Sequence, residues 1–393
     1  MKILQVNKFF YENGGSERYF FDVTESLRAA GHEVVYFSMQ DKRNHQSPWS
    51  KYFAPAIDFN SDISLGKAAK FIYSRAAVRQ LKKLIVDTKP DVAHLHNIAH
   101  QLTPAIISTL KKAGLPVVMT LHDYQVLCPN YQMYTQQKAC ERCKRHSYWN
   151  AIRYRCVRNS VLASALSAVE MVTHNLLLKN YQKVDRYIAP SKFMKERMEA
   201  WGWSVEKLTY LPHFVNFRKN GEVIKKAQVL FVGRLVREKG AHLLLEVAGK
   251  FPKVNFIFAG DGEERERLQF EIERRSLENC RLLGSVSAKR VRELMQESQV
   301  LAVPSLWYEN APLVVYEALT LGTAVVASAH GGLPELISPG KTGELFTPGD
   351  TAGLAKSIKK VLNMRSFAGL DDPFPAAKHI AELVSIYEKV QTK

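Results

Sequence analysis

Two carboxylates eight residues apart, Glu309 and Glu317, flank a segment whose residue types suit a polyhydroxylated, anionic ligand. Between them Asn310-Ala311-Pro312 leads into Leu313 to Leu321, a stretch that reads as a helix with Pro312 at its first turn. A helix start carries unpaired backbone N–H groups and a partial positive charge, so the run Ala311-Pro312-Leu313-Val314 is suited to a phosphate or a sugar hydroxyl. A carboxylate accepts two hydrogen bonds and discriminates against an analogue that lacks a hydroxyl. Taken alone, the same residues also describe an ordinary capped helix with two exposed acids.

Further groups with chemical potential recur after short apolar runs. Arg234 and Lys239 follow Val229 to Val232, where a planar fork of donors and a compact ammonium suit a diphosphate and its departing charge. Gly14-Gly15-Ser16-Glu17 follows the first apolar run; a backbone without Cβ can approach a phosphate there, and the plain alternative is a turn with Ser16 capping the next helix. His122-Asp123 ends another run, and the imidazole can exchange hydrogen bonds with a sugar hydroxyl; a core histidine paired with its neighbouring Asp is the bland reading. His94, His96 and His100 lie close together but lack the acidic or cysteine partners of a metal site, which leaves His96 as a weak acceptor-side candidate.

These groups need a scaffold, and the chain supplies alternating apolar runs and amphipathic stretches, the signature of β-α units around parallel sheets. The pattern occurs twice. Strands are expected at 2–6, 33–38, 92–95, 116–120 and 186–189, with helices at 16–30, 67–86 and 103–113. A second set of strands is expected at 228–232, 255–259, 281–283, 300–303 and 324–327, with helices starting near Glu238, Glu263, Ala288, Pro312 and Thr351. The stretch 211–221, with Pro212 and Gly221 and little periodicity, reads as the linker. Ligands of open α/β sheets bind beyond the carboxyl ends of the strands, where the candidate residues fall.

The 393 residues and ordinary apolar content suit two domains. No apolar stretch reaches the roughly 20 residues that span a bilayer, and Met1 to Val6 reads as a strand instead of a signal peptide, so the expected location is cytoplasmic. Residues 1–185 carry 25 Lys or Arg against 14 acids, a bias toward anionic partners; nucleic acid is disfavoured because no zinc finger or aromatic RNA-binding signature accompanies it. The stretch Leu65 to Val86 reads as one basic amphipathic helix, which either packs on a sheet or lies on an anionic membrane surface. Cys128, Cys140, Cys143 and Cys156 include a single Cys-x-x-Cys knuckle in a basic segment with Tyr148, Trp149 and Tyr154. A structural zinc and a solvated loop are both open readings.

The ordered motifs Phe231-Val232-Gly233-Arg234-Leu235, Lys239-Gly240, Gly260-Asp261-Gly262, Glu309 to Glu317 and Gly331-Gly332 resemble the C-terminal domain of retaining, nucleotide-sugar-dependent GT-B glycosyltransferases, the large family 4. The resemblance extends over nearly the whole chain. It implies an α/β fold of two Rossmann-like domains facing across a cleft: 1–211 on the acceptor side, with a Cys-bearing basic insertion near 128–156; 212–375 for the nucleotide-sugar; and 376–393 as a helix crossing back to the N-terminal domain. It further implies that Arg234 and Lys239 stabilise the leaving group, that Glu309 and His122 contact the sugar or the reacting centre, and that Glu317 binds the ribose. Gly14, Gly15, Gly233, Gly262, Val286, Asn310, Ala311, Pro312, Leu313 and Val314 would complete the donor site. No cofactor is implied. The implied partners are a nucleotide diphospho-sugar, with UDP favoured over GDP, and a lipid-linked or carbohydrate acceptor in polysaccharide or glycolipid assembly, with peripheral contact at the inner membrane face. A sugar-nucleotide epimerase is disfavoured by Glu309 and Glu317 together with Gly14-Gly15, and a non-catalytic basic binding protein by the intact Arg234 and Lys239.

Overall fold

A computed structural model describes residues 1–57, 64–217, 221, 223–364 and 374–392. The chain divides into two compact units, the first made of Met1–Met133, Glu141–Pro212 and Ala376–Lys393, the second of Tyr134–Cys140 and His213–Pro375.

In chain order the first unit contains β1 (Lys2–Val6), α1 (Gly15–Ala29), β2 (Glu33–Phe37), α2 (Leu65–Ile72), α3 (Arg75–Thr88), β3 (Val92–Leu95), α4 (Ala105–Lys112) and β4 (Val117–Thr120). A small hairpin of β5 (Tyr134–Thr135) and β6 (Lys138–Ala139) belongs to the second unit. The first unit resumes with α5 (Trp149–Arg153), α6 (Val161–Met171), β7 (Arg186–Ala189), α7 (Lys192–Ala200) and β8 (Leu208–Tyr210). Its sheet is parallel in the order β2-β1-β3-β4-β7-β8, with Leu4 in register with Val35 on one side and Ala93 on the other. The direction of winding reverses between β1 and β3, so the carboxyl ends of β1, β3 and β4 deliver Asn7, His96 and His122 to one edge.

The second unit contains β9 (Lys226–Val232), α8 (Ala241–Ala248), β10 (Asn255–Ala259), α9 (Arg265–Arg274), β11 (Cys280–Gly284), α10 (Ala288–Glu297), β12 (Ser298–Val303) and α11 (Leu313–Thr320). It continues with β13 (Ala324–Ser328), α12 (Leu333–Leu336), β14 (Gly343–Phe346) and α13 (Thr351–Leu362). The sheet is again parallel, ordered β11-β10-β9-β12-β13-β14, and reverses between β9 and β12. Both faces are apolar: Val229, Phe231, Phe258, Val300 and Val326 pack under α8, α9 and α13, while Leu230, Ile257, Leu301 and Val325 pack under α10, α11 and α12. Helix cover on both sides is why the strands read as unbroken apolar runs instead of alternating ones.

The final helix α14 (Ala376–Gln391) belongs to the first unit and buries His379, Ile380, Leu383, Ile386, Tyr387 and Val390. Three details differ from the sequence reading. The basic stretch 65–86 is two helices, because Tyr73 is extended and Ser74 caps a new start by accepting from the Ala77 N–H. Helix α1 starts at Gly15 with Gly14 as its cap, so Ser16 lies inside the helix. The first domain is not continuous over 1–211, since 134–140 groups with the second unit. The break between units falls between Pro212 and His213, within the expected linker, of which 218–220 lie outside the described residues.

Candidate active site

Beyond the carboxyl end of β12 the chain runs through Ser305 and Trp307 to Glu309, whose carboxylate is almost fully buried at 4 % exposure. Three donors converge on its Oε1: Lys239 Nζ at 2.7 Å, Ser305 Oγ at 2.6 Å and Trp307 Nε1 at 2.9 Å. Burial pushes the Glu309 pKa up, but the charge of Lys239 and these three hydrogen bonds outweigh it and hold the group below its usual range. Glu309 is therefore an anion at neutral pH. One oxygen is saturated, and Oε2 accepts no hydrogen bond from the described residues.

Two glycines make this geometry possible. Gly240, directly after Lys239, has φ of 73°, and a Cβ there would lie 1.9 Å from the Pro304 carbonyl oxygen. Gly331 has φ of 63°, and its Cβ would lie 2.3 Å from the Glu309 carbonyl oxygen, which accepts from the Gly332 N–H at 2.7 Å. Only a residue without a side chain admits backbone this close. The Leu306 N–H also donates to the Glu238 carbonyl, joining the Lys239 turn to the Glu309 loop. Trp307 underlies the ammonium of Lys239, 4.9 Å from ring centroid to Nζ, and His330 donates from Nε2 to the Ser305 carbonyl. Ser305, Trp307 and His330 were not singled out in the sequence. The signal that finds them is position, since 304–309 and 330 directly follow two neighbouring strands.

Helix α11 begins beside Glu309 with Pro312 at its cap and no side chain closing its first N–H groups. Ala311, Pro312, Leu313 and Val314 are half-buried, Asn310 is buried, and Glu317 sits on the next turn at 2 % exposure. At the ends of β9 and β10, Gly233 donates to the Ala259 carbonyl and Gly262 lies against Leu235, bringing the two loops together. Arg234 projects from this pair, exposed and without a side-chain partner among the described residues. Val286 follows β11, half-buried against the core under α10 and α11.

In the first unit, Gly14 is extended at the start of α1, again without a side-chain cap, and Glu17 is buried behind it with its pKa pushed up by burial. His122 heads a chain of buried polar groups. Gln5 Oε1 accepts from His96 Nε2 at 2.7 Å, which makes His96 Nδ1 the acceptor for His122 Nε2–H at 2.9 Å. Nδ1 is then the acceptor nitrogen of the neutral His122 ring. His94 donates from Nε2 to Thr120 Oγ1 and accepts the Tyr387 hydroxyl at Nδ1, while Tyr19 donates to His379 Nε2. Burial pushes His94 and His122 down to about 3 and His379 to about 4, so all three are neutral at physiological pH. The sequence reading missed this network, in which His94 and His96 are buried core residues and Tyr19, Tyr387 and His379 come from distant segments. His100 does have an acidic partner: its Nδ1 lies 3.1 Å from buried Glu170, and its ring stacks on Phe71.

The cysteine segment has a different character from the rest. All five cysteines are unbridged, and among the described residues no group of three or more His, Cys, Asp or Glu is arranged to hold a metal ion. Cys128 donates to Asn130 Oδ1, and Cys143 packs with Tyr148, Ala168 and Met171.

Residues 13–219 match the model of Glycosyltransferase Family 4, and residues 214–371 that of the Glycosyl transferases group 1. The glycogen synthase of Mycobacterium tuberculosis is 27 % identical over 394 residues, covering 93 % of this chain and 84 % of that protein. One of the subunits of the human phosphatidylinositol N-acetylglucosaminyltransferase is 24 % identical, covering 98 % of this chain and 72 % of its own length. The crystal structure of HepE from Anabaena in complex with UDP superposes with a TM-score of 0.69 at 20 % identity, over 99 % of this chain and all of that one. The chain thus belongs to the family 4, group 1 glycosyltransferases and has the GT-B fold.

Proposed function

We propose that the protein transfers a sugar from a nucleoside diphospho-sugar, UDP in preference to GDP, to an acceptor in cell-surface polysaccharide or glycolipid assembly, with retention of anomeric configuration and no need for a divalent cation. The observation that carries this reading is the Glu309 carboxylate, locked at Oε1 by three donors and open at Oε2 beside an uncapped helix start. A rigid anion with one oxygen to spare can accept sugar hydroxyls without reorganising, and the adjacent N–H groups suit the diphosphate. As the glycosidic bond breaks, negative charge grows on the leaving phosphate. Arg234, Lys239 and the α11 N–H groups offset that charge, the role a cation would otherwise fill. The leaving phosphate oxygen takes the acceptor's proton as the acceptor attacks from the same face, which requires no side-chain nucleophile. Glu317 binds the ribose hydroxyls, and Val286 lies near the base. On the first unit, Gly14 and Gly15 offer N–H groups to phosphate, and neutral His122 exchanges a hydrogen bond with the sugar.

Two relatives support the finer choices. HepE is seen with UDP, and the human relative is named for phosphatidylinositol, a lipid. With a lipid acceptor the transfer takes place at a membrane surface, on this reading its cytoplasmic face. Calorimetric titration with UDP, GDP and ADP tests the donor site. Tight UDP binding that falls at least about tenfold in Glu317→Ala supports it, and equal binding by wild type and variant sinks the ribose assignment. Turnover that survives chelation, with the product's anomeric configuration read by NMR, tests the remainder.

A further inference from the structure

Helix α6 and the π-helical turn Val172–Leu177 that extends it are inverted. The side against the protein buries the polar Ser164, Ser167, Glu170, His174 and Asn175 together with Ala168 and Met171, while Val161, Leu162, Val169, Leu176 and Leu177 face outward. Leu162 is 62 % exposed and Leu177 72 %, and Leu162, Val169 and Leu176 recur at seven-residue spacing along the helix. A helix facing water shows the opposite pattern. An apolar face of this kind marks a surface that meets something other than water.

Charge identifies the partner. From Arg142 to Val184 the chain carries eight Lys or Arg and one acid, Glu170, which is buried. Arg153, Arg155 and Arg158 are exposed before the helix and Lys179 after it, and exposed Trp149 stands on α5, which packs against α6. Arg155 and Lys179 make no ion pair among the described residues. An apolar stripe bracketed by cations and an interfacial tryptophan is complementary to the boundary between acyl chains and anionic headgroups. The α6 and π segment covers residues 161–177, short of the roughly 20 residues a span needs, and one side is committed to the core, so it lies in the plane of the surface.

We propose that the outward face of α6 and its π-helical extension docks the first unit onto an anionic lipid bilayer. This deepens the reading of a lipid-linked acceptor, and its test reads binding without turnover, so the failure of one is distinguishable from the failure of the other.

The test is flotation of the full chain with vesicles of phosphatidylcholine alone or mixed with phosphatidylglycerol. Wild type is expected to float with the mixed vesicles and to be released by salt. Leu162→Ser/Val169→Ser/Leu177→Ser and, separately, Arg155→Gln/Lys179→Gln should each lower the bound fraction about tenfold. Lys82→Gln/Lys83→Gln on α3 should leave it unchanged. Circular dichroism of each variant confirms folding, and quenching of tryptophan emission by spin-labelled lipid, lost in Trp149→Phe, reports insertion independently. Failure of wild type to float overturns the proposal, as does undiminished floating of both α6 variants. So does a lipid-free dimer that the serine variant converts to monomer, since a second copy would then cover the face.

Discussion

The pair formed by Lys239 and Glu309 shows how a few residues set the chemistry of the second unit. With Glu309 held below its unfolded pKa, the pair's contribution is complete above the ordinary carboxylate range and is lost as pH falls through the lower folded value. Lys239→Met removes the charge but leaves the burial, which alone pushes the carboxyl up. The variant should lose about 3 kcal/mol at pH 7, at the low end for a buried pair because Lys239 keeps some solvent. The loss should shrink toward pH 5, because the stranded carboxyl then takes up a proton. Urea denaturation at both pH values measures it, and an identical loss at each would mean that the carboxyl stranded without Lys239 takes up no proton between pH 7 and pH 5. Trp307→Phe keeps the ring beneath the ammonium and deletes one donor. It should cost about 2 kcal/mol and lower kcat more than it alters nucleotide affinity, read by urea titration and steady-state kinetics.

At the scale of elements, the break between α2 and α3 depends on Ser74, whose hydroxyl caps α3 and whose N–H donates to Thr103 Oγ1. Ser74→Ala should cost about 1 kcal/mol in thermal or urea unfolding; no loss would assign the break to the extended Tyr73 backbone alone. The same break shows why the sequence misleads there: the apolar period of Phe71, Val78 and Leu81 runs through Tyr73-Ser74 almost undisturbed. Central strands such as Lys2–Val6, Val92–Leu95 and Asn255–Ala259 were legible to the residue because burial on both faces makes them dense apolar runs bounded by turns. The edge strands β8 and β14 were not, being short and partly polar. Helix α6 also escaped, since its inverted faces leave an apolar stretch without a useful period. Glu309 and Lys239 could be picked out by type and spacing. The convergence of Ser305, Trp307 and Lys239 on one oxygen could not, because it arises where two loops meet beyond separate strands.

For the whole molecule, the decisive fact is that the first unit is built from both ends of the chain. Helix α14 closes the network of Tyr19, His94 and His379 through Tyr387 and His379, so the first unit lacks part of its core until the last residues are in place. The network also makes its stability depend on pH. A histidine whose folded pKa lies below the unfolded 6.5 leaves the unfolded chain binding more protons, so stability is full above about 6.5 and falls as pH drops toward the folded value. For His379, at about 4, this amounts to about 2 kcal/mol lost between pH 7 and pH 5. Glu17 and Asp123, pushed up by burial, act in the opposite sense from the ordinary carboxylate range upward, so the raw profile of the wild type mixes signs. A comparison of variants isolates the histidine. His379→Gln has an amide that can meet both the Tyr19 hydroxyl and the Pro212 carbonyl but cannot titrate. Its loss of stability between pH 7 and pH 5, by guanidinium unfolding, should be about 2 kcal/mol smaller than that of the wild type. If the two losses are equal, His379 is not the buried neutral base that ties the C-terminal helix to the first unit.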